Sequence, residues 1–326
     1  MPSMNMVQAI NLALRQEMEK DSSVLVMGQD VGVNGGVFRV TEGLKEEFGK
    51  DRVMDTPLAE AAIVGSAIGM AIAGLRPVAE IQFDGFSYLM LDQLESNASR
   101  YRTRTHGAFT VPIVVRMPYG GGVRALEHHS ESKETFYAHI PGLKTIIPST
   151  PRNARALMVA AIRDPDPVVF MEPKRSYRAF KEEVPDEEEV MEIGKARIVR
   201  EGEDITVISW GAMLHQTEKV IEEIIDRRGA SIELIDLLTI APMDGVTIAK
   251  SVEKTGRCII VQEAHKTLGP ASEIIAQVNE RAFLALQAPI ARVTGYDVPM
   301  PLLGREEMYM PTAGRIQRAI EQTLDF

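Results

Sequence analysis

Glu60 stands at the end of Asp55-Thr56-Pro57-Leu58-Ala59-Glu60, a polar stretch between the short apolar run Arg52-Val53-Met54 and a segment rich in small residues. A carboxylate that opens a helix is favoured by the positive end of the backbone dipole, and that alone accounts for an acid here. The setting offers a second account. Open α/β sheets bind ligands beyond the carboxyl ends of their strands, and a carboxylate buried there can hold a proton for chemistry. Gly65 and Gly69 lie four apart on the same predicted helix and share a face. Each glycine costs a helix about 1 kcal/mol relative to alanine, so the pair predicts close packing, across a subunit boundary.

His128 and His129 follow the loop Gly120-Gly121-Gly122-Val123-Arg124. Adjacent side chains diverge and no acid–histidine cluster completes a tetrahedral set, so zinc is not expected. The glycine triplet lacks the G-x-G-x-x-G spacing of a dinucleotide site, and no P-loop is present. Phe86 follows a predicted strand end at Ile81-Gln82-Phe83, where ordinary core packing would explain it. The single cysteine, Cys258, lies in the apolar run Cys258-Ile259-Ile260-Val261 and reads as core.

The elements that must position these residues alternate along the chain. Buried strands are predicted at 24–28, 78–83, 111–116 and 167–171, with helices near 6–19, 60–74, 87–102 and 151–163. Strand–helix alternation of this kind implies a mainly parallel sheet covered on both faces. Thr150-Pro151 reads as a cap followed by proline at the first helical position. Residues 181–192 are dense in acid without an apolar period and read as an exposed linker. A second strand–helix series follows: strand 204–210, helix 215–228, then strands 231–235 and 257–261. The expected organisation is a first domain over 1–180, a linker over 181–194 and a smaller α/β domain over 195–326.

The 326 residues allow about two domains. Acidic residues outnumber basic ones, 46 to 36, which argues against general nucleic-acid binding. No apolar run reaches the roughly 18 residues of a membrane span. The N-terminus has no secretory pattern, and one cysteine suits a reducing cytoplasm. A cytoplasmic, soluble protein is expected.

Taken together, Asp55-Thr56-Pro57-Leu58-Ala59-Glu60, the preceding Gly35-Gly36-Val37-Phe38-Arg39, Tyr101-Arg102-Thr103-Arg104, His129-Ser130 and Pro141-Gly142-Leu143-Lys144 resemble the beta subunits of 2-oxo acid dehydrogenase complexes. The similarity continues through Asp166-Pro167-Val168-Val169-Phe170 and Ser251-Val252-Glu253-Lys254-Thr255-Gly256-Arg257, so it spans nearly the whole chain in order. It implies an α/β, transketolase-like fold: a parallel-sheet domain binding the pyrimidine of thiamine diphosphate, then a smaller α/β C-terminal domain. It also implies an enzyme that, with an alpha subunit, oxidatively decarboxylates a 2-oxo acid and acylates a lipoyl group.

By this resemblance Glu60 hydrogen-bonds the cofactor's aminopyrimidine and favours the imino tautomer that takes the thiazolium proton. Phe86 is the aromatic platform beneath that ring, with Leu58 and Gln82 as neighbours. His129 handles protons during acyl transfer to lipoyl, a task suited to an imidazole of pKa about 6.5; His128 only lines the site. Thiamine enzymes of this class hold the diphosphate through Mg²⁺ with a Gly-Asp-Gly motif, which this chain lacks. The alpha subunit must then supply both, and the chain alone should be inactive. A potassium site built largely of carbonyls would fall around Ile113, Ala161, Asp164 and Asp166.

Gln29 stands where the family usually has glutamate, so a carboxyl relay between paired active sites is in doubt. The C-terminal domain is expected to drive assembly into a heterotetramer of two alpha and two beta chains and to dock the dihydrolipoyl acyltransferase core, with Asp325 and the Phe326 carboxylate as contacts. Three other readings stay open: an acetoin dehydrogenase beta subunit, half of a split transketolase-like synthase, or a non-catalytic assembly subunit. Glu172-Pro173-Lys174-Arg175-Ser176-Tyr177-Arg178 leans toward branched-chain substrates and Asp297-Val298-Pro299-Met300-Pro301 toward pyruvate.

Overall fold

Asn5 and Thr150 start two of the helices that cover the first sheet, each through a reciprocal capping box. Asn5 caps α1 (Met6–Lys20) with Gln8, and Thr150 caps α6 (Pro151–Arg163) with Asn153, Pro151 taking the first turn as expected. The computed structural model describes residues 2–185 and 187–326; Met1 and Asp186, which the domain and linker assignments include, lie outside the described residues. The helices α1 and α6 pack on each other along one face.

The first sheet is built from β2 (Val24–Gly28), β3 (Val53–Asp55), β4 (Arg76–Glu80), β5 (Val114–Tyr119), β6 (Lys144–Ile146) and β7 (Val168–Pro173), all parallel. Their order is β6-β7-β5-β4-β2-β3. A seventh strand, β12 (Thr239–Ala241), joins β6 antiparallel from the C-terminal half. β5 begins three residues later than the apolar run suggested, because Pro112 has no amide to donate to a central strand. Pro118 is tolerated inside β5 because β4 pairs only as far as Arg116.

Two expectations are corrected. The helix expected over 87–102 is instead a 3₁₀ turn (Asp84–Met90), a π-helical turn (Gln93–Asn97), a second 3₁₀ turn (Ala98–Arg100) and the short α4 (Tyr101–Arg104). Ser99 Oγ and Arg100 Nε both bond the Glu95 carbonyl at 2.9 Å, which draws it out of a regular helical ladder. The acidic segment after residue 180 is largely exposed but is not a free linker. β8 (Glu182–Glu183) pairs with β1 (Ser3–Met4), Val184 is buried, and Arg155 binds the carbonyls of Pro185 and Glu187. Glu188 takes bonds from Arg163 and Lys20, which hold its carboxyl down at about 2.

The second sheet runs β14-β13-β10-β11-β9, comprising Ala291–Gly295, Cys258–His265, Ile205–Ser209, Ile232–Asp236 and Arg197–Arg200. Only the edge strand β9 is antiparallel. α7 (Ala212–Arg228), α8 (Gly245–Thr255), α9 (Pro270–Ala282) and α11 (Ala313–Leu324) pack on this sheet. One apolar cluster runs through both halves, from Ile63, Met117 and Tyr119 to Trp210, Ile248 and Cys258. Burial pushes the Cys258 thiol up to about 12, as befits a core cysteine. No helix among the described residues is long and apolar enough to cross a membrane.

Candidate active site

The carboxyl ends of β2, β3, β4, β5 and β7 open on one edge of the first sheet, where a parallel sheet binds its ligands. Asp55, at the end of β3, gathers that edge. It accepts from Gly32 N at 2.6 Å and Val33 N at 3.1 Å, and from Lys45 Nζ at 2.7 Å, so the loop after β2 is tied to β3. Leu58 follows on the surface, 67% exposed, and Ala59 leads into α3 (Glu60–Ile72) with no side-chain cap. Glu60 is only 7% exposed, and its Oε2 is buried with no hydrogen-bond partner among the described residues. A buried carboxyl oxygen left unpaired is costly, and Glu60 Oε2 is free to take a partner from outside these residues.

α3 rests on the Asp84–Met90 turn after β4, the turn that carries Phe86. Phe83, Phe86 and His129 form an aromatic triangle. Phe86 stands edge-on to Phe83 at 5.5 Å and to His129 at 5.2 Å, and His129 tilts over Phe83 at 4.3 Å. Phe86 is half-buried against the core cluster that includes Ile63 and Val64 of α3. His129 Nδ1 lies 2.7 Å from the Glu127 carbonyl, and its own carbonyl accepts from Lys174 Nζ. Gln82 is half-buried and donates to Asp30 Oδ2 at 3.1 Å. The fold therefore brings Phe86 and His129 together and sets the Glu60 helix against the Phe86 turn, while Leu58 points outward.

Two small features lock the aromatic turn to the histidine loop, and neither was anticipated. Asp84 accepts from Lys133 N at 2.9 Å and from Tyr137 Oη at 2.6 Å; burial raises its carboxyl to about 6. Gly85 lies directly under the His128 carbonyl, so that an added Cβ would sit 1.8 Å from that oxygen. Gly85→Ala must push the His128–His129 segment off the aromatic turn. We expect a turnover loss of about 100-fold, the scale of a 1 Å misplacement, measured against a thermal melt of the same variant. Wild-type turnover in that variant would contradict the contact.

Behind the loop, Glu134 is fully buried and neither carboxyl oxygen has a hydrogen-bond partner among the described residues. Desolvation pushes it from an ordinary 4.5 up to about 8. The folded chain then holds a proton that the unfolded chain releases near 4.5, so this group's stabilising share is full below 4.5 and is lost as pH rises to about 8. Glu134→Gln removes that loss. Its melting temperature should rise relative to the unsubstituted chain between pH 5 and pH 8; a difference that stays flat across that window would contradict a buried, neutral Glu134.

Under the same edge lies a buried ionic triad. Arg116 grips Glu172 with two bonds of 2.7 and 2.6 Å and donates to Glu80, while Tyr177 Oη donates to Glu172 at 2.6 Å. All three charged side chains are at most 5% exposed.

The remaining candidates lie elsewhere. Ile113 precedes β5, Ala161 lies in the last turn of α6, and Asp164 and Asp166 lead from α6 to β7, at the amino edge of the sheet. There the Ile113 carbonyl accepts from Val168 N at 2.9 Å and the Asp164 carbonyl from Arg76 at 3.3 Å, while Lys144 holds the Asp164 carboxylate. Asp325 is paired with Arg228, and the Phe326 side chain is exposed. On α3, Gly65 is half-buried against Gln93, whereas nothing among the described residues beyond its own helical turn lies within 4 Å of a Cβ placed on Gly69. Among the described residues, no three His, Cys, Asp or Glu converge on a metal position.

Residues 2–179 match the family described as transketolase, pyrimidine binding domain, and residues 194–316 match transketolase, C-terminal domain. The chain is 52% identical over 322 residues to the pyruvate dehydrogenase E1 component subunit beta of Acholeplasma laidlawii, covering 99% of this chain and 98% of that protein. The subunit of the same name from Bacillus subtilis (strain 168) is 48% identical over 326 residues, the full length of both. The chain belongs to the family of 2-oxo acid dehydrogenase E1 beta subunits. Its fold is shared beyond sequence likeness: a solved split gene transketolase, described as an inactive beta4 tetramer, superposes with a TM-score of 0.80 at 18% identity, over 99% of each chain. Within this E1 beta chain, the pyrimidine-binding match ends at 179, just before β8 ties the chain back to its N-terminus.

Proposed function

We propose that the chain is the beta subunit of a pyruvate dehydrogenase E1 component, which with an alpha subunit decarboxylates pyruvate and passes the acyl group to the lipoyl group of an acyltransferase. The observation that carries it is the buried, unpartnered Oε2 of Glu60 at the carboxyl edge of the pyrimidine-binding sheet. In its imino or ring-protonated form an aminopyrimidine presents a ring N–H that this oxygen can accept from, so the residues fit thiamine diphosphate. When bound, that cofactor supplies the carbanion chemistry. Glu60 accepts the ring's hydrogen bond and controls the proton shared with it. Phe86 offers a flat apolar face for stacking, worth on the order of 1 kcal/mol beyond burial. His129 moves a proton when the acyl group is transferred, its ring held by Phe83, Phe86 and the Glu127 carbonyl.

Mg²⁺ and the diphosphate are assigned to the alpha subunit, because this chain carries no Gly-Asp-Gly. An assembly of two alpha and two beta chains in a reducing cytoplasm fits the open face at Gly69 and the single buried cysteine. Potassium at the opposite edge fits only in part, since the Ile113 and Asp164 carbonyls already accept from Val168 and Arg76 and would have to share. Docking of the acyltransferase at Asp325 and Phe326 likewise requires the Arg228 pair to be shared or opened.

Pyruvate is favoured over branched-chain acids by the full-length likeness to the two bacterial relatives. The stretch from Glu172 to Arg178 does not weigh against it: Glu172 is spent on Arg116 and Tyr177, and Lys174 on the His129 carbonyl. The complex reconstituted with its alpha subunit should decarboxylate pyruvate faster than 3-methyl-2-oxobutanoate. The reverse order would overturn the substrate assignment.

A further inference from the structure

The loop that carries His129 is pinned by the C-terminal domain. It closes at its neck, where Gly120 N donates to the Glu131 carbonyl at 2.7 Å, and within it Arg124 and His128 have φ of 56° and 64°. Non-glycine residues adopt such angles only when the surroundings impose them. One carboxylate gathers the backbone amides around Arg124. Glu306 Oε2 accepts from Gly122 N at 2.6 Å and from Val123 N and Arg124 N at 3.1 Å. Glu306 Oε1 accepts from Ala125 N at 3.0 Å and Ser130 Oγ at 2.5 Å. The residue is 1% exposed and opens α10 (Glu306–Tyr309). A second carboxylate from the same half, Glu263, accepts from Gly121 N at 2.5 Å and Ser132 Oγ at 2.9 Å.

Five donors converging on one carboxylate need both of its oxygens as acceptors. Charge-assisted bonds of this kind are about twice as strong as neutral ones. An amide in the same place offers one acceptor oxygen and would turn an NH₂ toward N–H donors. The neighbouring cleft, about 330 Å³, is lined by Leu126, Glu127, His128, Ser130 and Glu131 from one half of the chain and by Pro299–Leu302 from the other.

We propose that Glu306 is a positioning residue for His129, so that the C-terminal domain sets the geometry of acyl transfer rather than serving assembly alone. The proposal rests on the role given to His129 above. Glu306→Gln in the full alpha–beta complex should lower lipoyl-domain acylation, relative to decarboxylation read with an artificial electron acceptor, by about 10- to 100-fold. Amide hydrogen exchange should rise over 121–130 and stay unchanged in the sheet strands. Ser130→Ala, which removes one donor and keeps the carboxylate, should move both readouts less and in the same direction.

His129→Ala serves as the reference and must itself lose lipoyl acylation. If it does, and Glu306→Gln leaves both the activity ratio and the loop exchange unchanged, the proposal is overturned. If His129→Ala retains lipoyl acylation, the role of His129 fails instead, and with it the catalytic part of the proposal. The exchange over 121–130, which needs no acyl chemistry, still decides whether Glu306 orders the loop.

Discussion

Glu60→Gln should lower decarboxylation by the reconstituted alpha–beta complex by about two to four orders of magnitude, the usual cost of removing a positioned proton-transfer group. The change is nearly isosteric, and Glu60 has no bond from its Oε2 to any other residue described, so the fold has little to lose. It should gain slightly, since a neutral amide is cheaper to bury than an unpaired carboxylate. The signature is therefore a large fall in kcat with an unchanged or raised melting temperature. A variant that kept full activity would remove the central assignment, and one that lost activity only through unfolding would return Glu60 to a structural role.

The largest stability effect is expected at Arg116. It faces two carboxylates beneath the site; burial raises the Glu80 carboxyl above its ordinary value, and Arg116 opposes that rise without cancelling it. Arg116→Met leaves Glu80 and Glu172 buried without a counter-charge, and breaking a buried pair in this way costs about 3–5 kcal/mol. Replacing the whole triad with apolar residues should cost less than the single change, because no charge is then stranded. Denaturant or thermal unfolding of the single and triple variants checks this. A single variant as stable as the parent, or a triple variant less stable than the single, would contradict the triad's role.

What could be read from the sequence was what is local. The Val24–Gly28 strand is a five-residue apolar run between polar segments, and it forms as expected. Thr150-Pro151 carries its capping information within four residues. The place of Glu60, at a helix start just after a strand end, was legible because loop, helix and strand adjoin in the chain. The loop's anchors were not: Glu306 meets Gly122 across 184 residues, and nothing near either position marks the pairing. Gly85 offered a weak signal, a glycine between a strand end and an aromatic residue, but its reason is the His128 carbonyl 43 residues on. β12 was missed for the same cause, since a three-residue apolar strand does not say which sheet it will join. The acidic segment after 180 misled because composition shows charge but not the arginines that neutralise it.

In the function proposed above, this chain supplies one side of a thiamine site that a second chain completes. The direct measurement is decarboxylation of pyruvate by the purified chain, by its alpha partner, and by the two mixed, each with thiamine diphosphate and Mg²⁺. Activity is expected in the mixture alone, and lower by about two to four orders of magnitude when the mixture is made with Glu60→Gln. Activity from this chain by itself, or a mixture that assembles and still does not turn over, would contradict it.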